Sequence, residues 1–527
     1  MHVQQAILPA IKARLIQDGS LDEKALQELA LEFNVSGAHI RGLVSFYDDL
    51  HQDPNAVRIC EGTSCRLARQ GKRDLGRHVY CLGRCYEAPN ALAANGQILD
   101  RTVLANGHDG FRDPEEAPPC PVFCLASTPA VTRRIMNGDH ATLKQALNAE
   151  VYTALKRSLQ STPSQIIDQL SQADLRGRGG AGFRVGQKWA ACAAFRSDKR
   201  FAVVNGDEGD PGSFVDRVLM EQDPHAVLEG LALCAYAIGA HHGLIYVRSE
   251  YPLARIRLEQ AILEAQQAGI LGDSVMGSEF SLQVEVVSGM GSYVCGEETA
   301  MLQSIEGQRG EVRLRPPYPT ECGLFGKPTV VNNVETIIVV PQIILWGADR
   351  FSSLGTETSK GTKAMCLNHG FARPGIYEVE FGTTLQEVID AAGGARAGRS
   401  LEGVLLGGPM GSLVEKSDFD VPIGFESMQK RGIQLGHGGV VALLDGTDYE
   451  ALFHHLVQFM AAESCGKCMP CSLGSRRLLS WIEKGKIAPL ALKEQALWIS
   501  KSSLCAFGQL IPQNLVQVLD RVGGHHA

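Results

Sequence analysis

The stretch LRGRGGAGF at residues 175–183 is the segment from which the fold of this chain can best be argued. It contains the spacing G-x-G-x-x-G, in which glycines let backbone N–H groups approach a phosphate closely. Arg176, Arg178 and Lys188 supply positive charge around it. A flexible glycine-rich turn explains the motif about as well when it stands alone, so the surrounding sequence decides between the two interpretations.

The surrounding segments alternate between strand-like and helical patterns from about residue 150 to residue 345. The strand-like segments are 201–204, 244–247 and 282–287, and the clearest helical segments are 226–238 and 253–268. Such alternation predicts α/β layering. The turn NGDEGDPG at residues 205–212 follows the first strand, at the end where α/β sheets bind ligands. Its carboxylates and its amide can hydrogen-bond the hydroxyls of a ribityl chain or a ribose.

Four cysteines near the C-terminus fit a metal cluster. Cys465, Cys468 and Cys471 have the spacing C-x-x-C-x-x-C within ESCGKCMPC at residues 463–471, and Cys505 lies further along. Three thiolates at this spacing can reach three corners of one cubane while a distant cysteine completes the fourth, which predicts a 4Fe–4S cluster. Structural zinc is the competing interpretation, although zinc sites usually pair two C-x-x-C knuckles.

Three further motifs complete an ordered set. They are GMGSYVCGEET at 289–299, RLRPPYP at 313–319 and KPTVVNNVET at 327–336. With the glycine-rich loop, the acidic turn and the cysteine cluster, they resemble the NADH-binding flavoprotein subunit of respiratory complex I. They equally resemble its relatives in NAD-reducing hydrogenases and in NAD-dependent molybdenum or tungsten formate dehydrogenases. The resemblance covers about residues 150–527 and implies FMN, a 4Fe–4S cluster and NAD(H) as substrate.

The resemblance also implies two sets of cofactor-binding residues. The FMN contacts are expected to be Gly177, Arg178, Gly179, Gly180, Lys188, Asn205, Asp207, Asn332 and Asn333. The surface where the nicotinamide nucleotide lies is expected to include Phe183, Glu208, Asp210, Glu298, Arg315 and Tyr318. Gly296 and Glu297 are also expected to bind a cofactor. The aromatic rings of Phe183 and Tyr318 can stack on adenine or nicotinamide. No side chain is assigned as acid or base, because FMN carries the hydride transfer.

Some positions depart from the complex I pattern. Complex I subunits usually have glutamate where this chain has Asp210, and lysine and phenylalanine where it has Arg315 and Tyr318. They also usually carry an aromatic residue near Ala191, so the manner of adenine stacking is open. The NGDEGDPG form of the acidic turn is more similar to formate dehydrogenase and soluble hydrogenase relatives.

The N-terminal third carries a second set of four cysteines. Cys60 and Cys65 have the spacing C-x4-C, and Cys81 and Cys85 have the spacing C-x3-C. Together with the helical segment before them, they resemble the thioredoxin-like 2Fe–2S subunit of complex I, and two thiolates per iron is the required count. The separation between Cys65 and Cys81 is short for that family, so a trimmed domain is implied. A relic domain that docks partners and holds no cluster is the alternative.

The other cysteines are expected to be structural. Cys120 and Cys124 are interpreted as structural thiols, with a role as alternative cluster ligands left open. The isolated cysteines are predicted to be buried core residues; they are Cys192, Cys234, Cys295, Cys322 and Cys366.

The predicted architecture is a multidomain combination of α/β and α+β folds. The predicted domains are a helical segment (1–55), a trimmed thioredoxin-like 2Fe–2S domain (56–148), an FMN- and NADH-binding α/β domain (149–350), a ubiquitin-like β-grasp domain (351–442) and a helical bundle with the 4Fe–4S cluster (443–527). The apolar segment 337–346 is too short to span a membrane and is predicted to be a buried core element.

Composition bounds the function classes. The chain has 527 residues and a formal net charge of −8, so it lacks the overall positive charge that favours binding of nucleic acid. The sequence shows no secretory signal, and its fifteen cysteines include tightly spaced clusters, which favours a cytoplasmic redox or metal-binding protein without membrane insertion.

The resemblance favours the diaphorase subunit of a formate dehydrogenase. Its partner is then expected to be a molybdenum- or tungsten-containing α subunit with further iron–sulfur clusters, because no formate-oxidising motif is visible in this chain. The diaphorase subunit of an NAD-reducing hydrogenase, or a complex I-like flavoprotein, is the alternative. A non-catalytic scaffold subunit is the alternative from a different class.

Overall fold

The computed structural model describes residues 6–68, 76–99, 110–138, 140–485 and 488–524. Its strands fall into three sheets. In chain order they are β1 (Arg58–Cys60), β2 (Arg77–Val79), β3 (Ala91–Leu92), β4 (Ile98–Leu99), β5 (Phe111–Arg112), β6 (Val122–Cys124), β7 (Phe201–Gly206), β8 (His242–Val247), β9 (Gln283–Ser288), β10 (Thr329–Asn333), β11 (Thr362–Leu367), β12 (Gly375–Glu380), β13 (Leu401–Leu406), β14 (Ser412–Glu415) and β15 (Gly439–Leu444).

The N-terminal segment of the described residues is helical, as predicted. They are α1 (Ile7–Asp18), α2 (Glu23–Glu32), α3 (Gly37–Val44) and α4 (Asp48–His51). Polar side chains cap two of them: Asp22 accepts a hydrogen bond from the Ala25 N–H, and Ser36 accepts one from the His39 N–H. Their apolar faces share one core with strands β7 and β8, so this segment packs onto the sheet of the flavin-type domain.

The first sheet surrounds the N-terminal cysteines. Its order is β2-β1-β3-β4-β5, with β1 and β2 parallel and β3 antiparallel to β1. The short helix α5 (Thr63–Ala68) follows β1. Cys60 ends β1 and Cys81 follows β2, so two parallel strands deliver cysteines to the same edge.

The second sheet is fully parallel, in the order β10-β7-β8-β9. The three strand-like segments predicted from the sequence are β7, β8 and β9. The helices of this region are α6 (Leu143–Asn148), α7 (Thr153–Ser158), α8 (Pro163–Gln172), α9 (Val185–Ala194), α10 (Val215–Gln222), α11 (Pro224–Ile238), α12 (Pro252–Gln267), α13 (Glu298–Ile305), α14 (Pro319–Cys322), α15 (Val334–Trp346) and α16 (Ala348–Ser352). Helix α15 contains the predicted core segment and is buried along most of its length, with Pro341 inside it.

The third sheet has the order β14-β13-β15-β11-β12-β6 and carries helices α17 (Leu385–Ala391) and α18 (Phe425–Lys430). Strand β6 pairs in parallel with β12 although its residues fall in the segment predicted to belong to the thioredoxin-like domain. The buried Glu378 carboxylate holds the chain after β6 by accepting hydrogen bonds from the N–H groups of Ala130, Val131 and Thr132. The segment around residues 122–132 therefore packs with the β-grasp region.

Four helices close the chain. They are α19 (Tyr449–Glu463), α20 (Met469–Glu483), α21 (Pro489–Ser502) and α22 (Ala506–Gly524). Their apolar faces form one core with residues of β13 and β15, and the Asn514 amide donates to the carbonyls of Gly408 and Pro409. Among the described helices, none combines the length and apolar character needed to cross a bilayer. The mixture of α/β and α+β regions agrees with the predicted fold class.

Candidate flavin, nucleotide and iron–sulfur sites

The glycine-rich loop lies against the carboxyl ends of two neighbouring strands. Strands β7 and β10 are parallel, and Asn333, the last residue of β10, lies opposite Asn205, the next-to-last residue of β7. A Cβ added at Gly179 would lie 3.0 Å from the Asn333 Cβ, and Gly180 has a φ of +109°, which favours glycine. The loop can thus bring bare backbone to the strand ends, which is the cradle that a phosphate-bearing cofactor needs. These residues fit the expected FMN.

The amides at the strand ends are held in place. Asn205 Nδ2 donates to the Gly296 carbonyl over 2.9 Å, and its Oδ1 accepts from the Asp207 N–H. Asn332 is buried, and its Oδ1 accepts from the Trp189 indole N–H at 3.3 Å. The Asn332 side chain is therefore anchored in the core at the end of β10.

The three cationic side chains expected around the loop lie in different places and have different partners. The Lys188 ammonium stays at the strand end, donating to the Val331 carbonyl at 3.0 Å and to Glu298 at 3.3 Å. Arg178 is 1% exposed, and its guanidinium donates to the Arg176 and Lys360 carbonyls. Its guanidinium carbon lies 4.8 Å from the centre of the Phe381 ring.

The expectation that the Arg178 guanidinium neutralises a phosphate is therefore corrected, because the side chain is buried against the β-grasp region. Desolvation lowers the pKa of Arg178 to about 10. Arg176 is also engaged, with Gly182 O at 2.7 Å and the Glu426 carboxylate as partners. Both arginine side chains hold the loop in place through these contacts.

The acidic turn aims its carboxylates inward. Burial raises the pKa of Asp207 to about 8, with Arg248 opposing that shift from 3.8 Å. Burial also raises the pKa of Asp210, whose carboxylate accepts a hydrogen bond from the Tyr293 hydroxyl. Glu208 is 3% exposed and accepts from backbone N–H groups at the start of α10. Glu208 thus caps a helix, a role that the expected nucleotide contact did not include.

The expected nucleotide surface carries two exposed aromatic rings, with Phe183 at 55% and Tyr318 at 53%. Arg315 pairs with Glu297 and, at 3.0 Å, with Glu298. Because Glu298 also contacts Lys188, this carboxylate links the loop side of the site to Arg315. Exposed aromatic rings can stack on a nucleotide base.

The N-terminal cysteines converge. Cys60, Cys65, Cys81 and Cys85 are each at most 1% exposed, and the Sγ atoms of Cys81 and Cys85 lie 3.6 Å apart. Hydrogen bonding between the thiols, followed by burial, raises the pKa of Cys81 to about 12. Two N–H groups point at these sulfurs: Gly83 N at 3.4 Å from Cys81 Sγ, and Asn90 Nδ2 at 3.7 Å from Cys65 Sγ. Four convergent sulfurs with N–H donors fit a 2Fe–2S cluster.

The C-terminal cysteines also meet. Burial and the neighbouring Cys468, Cys505 and Cys465 raise the pKa of Cys471 to about 12. Cys465 and Cys468 precede α20, Cys471 lies in its first turn, and Cys505 lies just before α22. Close packing leaves no room for a side chain at Gly508, where a Cβ would lie 2.5 Å from the Ser503 Cβ and 3.1 Å from the Cys471 Cβ. The donor set fits the expected 4Fe–4S cluster.

A row of aromatic rings runs between the two cysteine sets. Tyr80 precedes Cys81 and packs edge-on against Phe459, with the ring centres 5.0 Å apart. Phe459 contacts Tyr293 at 4.9 Å, and Tyr293 contacts Phe507 at 5.6 Å. The Tyr293 N–H donates to Glu463, whose pKa burial raises to about 8. This row packs the thioredoxin-like region, the acidic turn and the bundle together.

Five other cysteines were predicted to be buried, and four of them are: Cys192, Cys234, Cys295 and Cys366. The prediction was wrong for Cys322, which is exposed at the end of α14. A short helix that begins at Pro319 after a proline-rich turn lies at the surface, where apolar periodicity is no guide. Cys120 is buried and Cys124 is half-buried on β6.

Several residues of the site were not expected from the sequence. They are Tyr293, Arg248, Thr336, Asp216 and His437. Each acts through partners that are far away along the chain. A polar side chain inside a glycine-rich run, as in LGHGG at residues 435–439, was the one available signal for His437.

Comparison with known protein families identifies four regions of the chain. Family models match at residues 2–79 (thioredoxin-like [2Fe-2S] ferredoxin), 170–342 (Nuo51 FMN-binding domain), 371–413 (SLBB domain) and 451–522 (NADH-ubiquinone oxidoreductase-F iron-sulfur binding region). The first match ends two residues before Cys81, and the structure brings Cys81 and Cys85 to the cysteines inside it.

Relatives of known function cover most of the chain. The NADP-reducing hydrogenase subunit HndC of Solidesulfovibrio fructosivorans is 42% identical over 376 residues, covering 70% of this chain and 76% of that protein. An NADH-quinone oxidoreductase subunit of Rhizobium meliloti is 43% identical over 335 residues, covering 63% of this chain and 79% of that protein. A crystal structure of an NAD+-reducing [NiFe]-hydrogenase in the H2-reduced state superposes with a TM-score of 0.80 and 29% identity, covering 97% of this chain and 92% of that one.

The fold and the three cofactor sites define an FMN- and iron–sulfur-dependent NADH dehydrogenase module. The chain belongs to the family of the FMN-binding subunits of NADH-quinone oxidoreductases and their hydrogenase relatives. Its cofactors are FMN, a 4Fe–4S cluster and a 2Fe–2S cluster, and its substrate is NADH.

Proposed function

We propose that this chain is the diaphorase subunit of an NAD-dependent formate dehydrogenase, passing electrons between NAD(H) and the clusters of a partner chain. The observation that carries the electron-transfer role is the presence of three sites in one packed unit. These are a glycine-rich loop at two strand ends and two convergent sets of four cysteines, joined by the aromatic row from Tyr80 to Phe507. FMN, when bound, exchanges a hydride with NAD(H) and single electrons with iron–sulfur clusters.

The residues of this chain supply binding and orientation. In the proposal, the loop N–H groups and Lys188 bind the FMN phosphate, and the rings of Phe183 and Tyr318 stack on the nucleotide. Burial of the N-terminal thiols keeps water from the 2Fe–2S site. The individual contacts of Gly177, Gly296 and Glu297 with cofactor or nucleotide belong to the same proposal.

The formate-oxidising partner is inferred from two features of this chain, its fused 2Fe–2S domain and the sequence of its acidic turn. The fused 2Fe–2S domain and the NGDEGDPG turn are similar to formate dehydrogenase and soluble hydrogenase relatives, while this sequence holds no motif for oxidising formate itself. A molybdenum- or tungsten-containing α subunit with further iron–sulfur clusters is therefore the proposed partner. The cytoplasm is the proposed location, in keeping with described cysteines that form no disulfide.

The second candidate is the diaphorase subunit of an NAD-reducing hydrogenase. The similarity to the NAD+-reducing [NiFe]-hydrogenase structure extends over 97% of this chain, so it includes the N-terminal 2Fe–2S region. HndC, another relative, is an NADP-reducing hydrogenase subunit. A scaffold role is disfavoured, because a scaffold has no need to bring two sets of four cysteines together.

The test is to purify the native complex that carries this chain and to assay formate-dependent and H2-dependent NAD+ reduction side by side. Formate activity alone supports the proposal, and H2 activity alone replaces it with the hydrogenase candidate. If neither substrate works while NADH still reduces an artificial dye, the partner is a different oxidoreductase. Repeating the dye assay with NADPH shows which of the two nucleotides the chain oxidises.

A further inference from the structure

Three buried ionisable side chains join the β-grasp region to the flavin domain. His437 Nδ1 lies 3.3 Å from Glu208 Oε1, and its Nε2 lies 3.3 Å from Asp216 Oδ2. The three residues are 4%, 3% and 1% exposed, in the order His437, Glu208 and Asp216. An unpaired charge is costly in a buried position, so a protonated His437 between two ionised carboxylates stabilises this contact.

A His437 ring that carries two N–H groups satisfies both contacts when the carboxylates are ionised. Each ring nitrogen faces a carboxylate oxygen, and carboxylates only accept hydrogen bonds. Glu208 also accepts from the backbone N–H groups of Asp216 and Arg217, at 3.2 and 3.0 Å. Burial by itself lowers the pKa of His437, but Asp216 and Glu208 outweigh it and leave that pKa well above its ordinary value.

The cluster touches the flavin site through Asn333. Asn333 Nδ2 donates to Asp216 Oδ2 over 2.6 Å and lies 3.1 Å from His437 Nε2. On its other side, Asn333 Oδ1 accepts from the Thr336 N–H at 3.1 Å. The Thr336 hydroxyl accepts in turn from the Arg178 N–H at 2.7 Å, inside the glycine-rich loop.

We propose that His437 is a positioning residue of the flavin site: by bridging Glu208 and Asp216 it fixes the amide of Asn333 and, through Thr336, the glycine-rich loop. The inference rests on the proposed FMN contacts of Asn333 and of the loop, and is independent of which partner the chain has. FMN affinity is then highest while His437 is protonated, and it falls as the pH rises through the raised pKa.

Two other charged groups lie near the three residues, and neither supplies the positive charge that the His437 proton places between the two carboxylates. Lys363 Nζ donates to the His437 carbonyl at 3.0 Å, but it also pairs with the buried Glu335 carboxylate. Asp210 is hydrogen-bonded by the Tyr293 hydroxyl. The ligand atoms of Glu208, Asp216 and His437 all lie within 4.8 Å of one another, so a divalent cation in place of the proton is the competing occupant.

The test measures FMN affinity of the full chain in its complex, by the fluorescence of released FMN, from pH 6 to pH 10. His437→Gln keeps a neutral polar side chain and is expected to bind FMN about tenfold more weakly with a flat pH profile. Asp216→Asn removes one of the two anions and is expected to move the midpoint of FMN release to lower pH. His455→Gln is the matched control, because burial lowers the pKa of this bundle histidine to about 4.

Iron content and the melting temperature of each variant serve as measures of folding. Wild-type affinity and pH profile in His437→Gln would overturn the proposal. So would one equivalent of a divalent metal other than iron that is lost in this variant. If His437→Gln does not fold, the midpoint of Asp216→Asn decides, and an unshifted midpoint counts against the proposal. A wild-type complex that binds no FMN would instead refute the flavin site itself.

Discussion

The two cysteine sets perform the same kind of chemistry at different depths. Cys60, Cys65, Cys81 and Cys85 are enclosed between the first sheet and the flavin domain, and the Gly83 carbonyl between them accepts from Arg217 of that domain. In the C-terminal set only Cys471 is buried, and the other three are half-exposed. Beside this set, Met469 and Leu473 on α20 are 70% and 55% exposed.

The difference shows that the two sites depend on different parts of the fold. The N-terminal site is closed by contacts between domains, so its integrity depends on how those domains pack. The four cysteines of the C-terminal site all come from the helix bundle, and three of them remain partly exposed, although Cys465 and Cys505 also pack against an apolar cluster of Val294, Ala300 and Val312. We therefore expect the open cluster to exchange electrons with a partner, and the enclosed cluster to be a side station or second exit.

The largest effect is expected for Cys471→Ser. Removal of one ligand should cost about four iron atoms per chain and bring partner-dependent NAD+ reduction to background, while NADH-to-dye activity persists through FMN. Iron analysis and the two activity assays check this. Cys322→Ser, at an exposed and isolated cysteine, is the matched control. If partner-dependent activity survives the loss of iron, the C-terminal cluster is not the one that exchanges electrons with the partner.

A smaller effect on activity is expected for Cys85→Ser. It should cost about two iron atoms per chain, but partner-dependent activity should fall far less than in Cys471→Ser, because the enclosed cluster is off the main path. Electron paramagnetic resonance of the reduced complex separates the two cluster signals. If the two variants lose activity equally, the enclosed cluster lies on the main path and the comparison has to be reversed.

The rates of iron extraction should sharpen the contrast without any mutation. An iron chelator is expected to remove the four irons of the half-exposed set before the two of the buried set, because access of the reagent requires exposure. Absorbance of the iron–chelator complex gives the two phases and their amplitudes. A faster phase with the smaller amplitude would mean that the N-terminal domain opens readily in solution.

The smallest effect is a pH dependence of stability from the acidic turn. The pKa of Asp207 is raised to about 8, so the folded protein holds a proton that the unfolded chain releases near pH 4. This residue therefore contributes stability at low pH that declines as the pH rises towards 8. Asp207→Asn should flatten that decline and melt a few degrees above the wild type at pH 8.5, measured by calorimetry before FMN is added. An unchanged difference between pH 6 and pH 8.5 would contradict the assignment.

Local patterns predicted the elements that depend on local interactions. Strands β7 to β9 alternate with helices as expected because β-forming runs bounded by glycine are visible in a short window. Helix α15 was expected only as a buried element, since it is apolar all round and shows no periodicity to distinguish a helix from a strand. The spacing of Cys465, Cys468 and Cys471 predicted the cluster because the chemistry itself fixes the spacing.

Features that depend on distant partners could not be predicted. The charge of Arg178 beside a glycine motif indicated a phosphate contact, but carbonyls and the Phe381 ring of another region bind its side chain. Strand β6 joins the β-grasp sheet through pairing with residues about 250 positions away. His437 gained its role from Glu208 and Asp216, which lie on another domain.

The most direct test of the central claim is an anaerobic NADH titration of the intact chain in its complex, followed by electron paramagnetic resonance and by analysis of FMN and iron. The account predicts one FMN and about six iron atoms per chain, with NADH producing signals of both a reduced 4Fe–4S and a reduced 2Fe–2S cluster. Zinc in either cysteine set, or clusters that NADH leaves oxidised while dithionite reduces them, would contradict it.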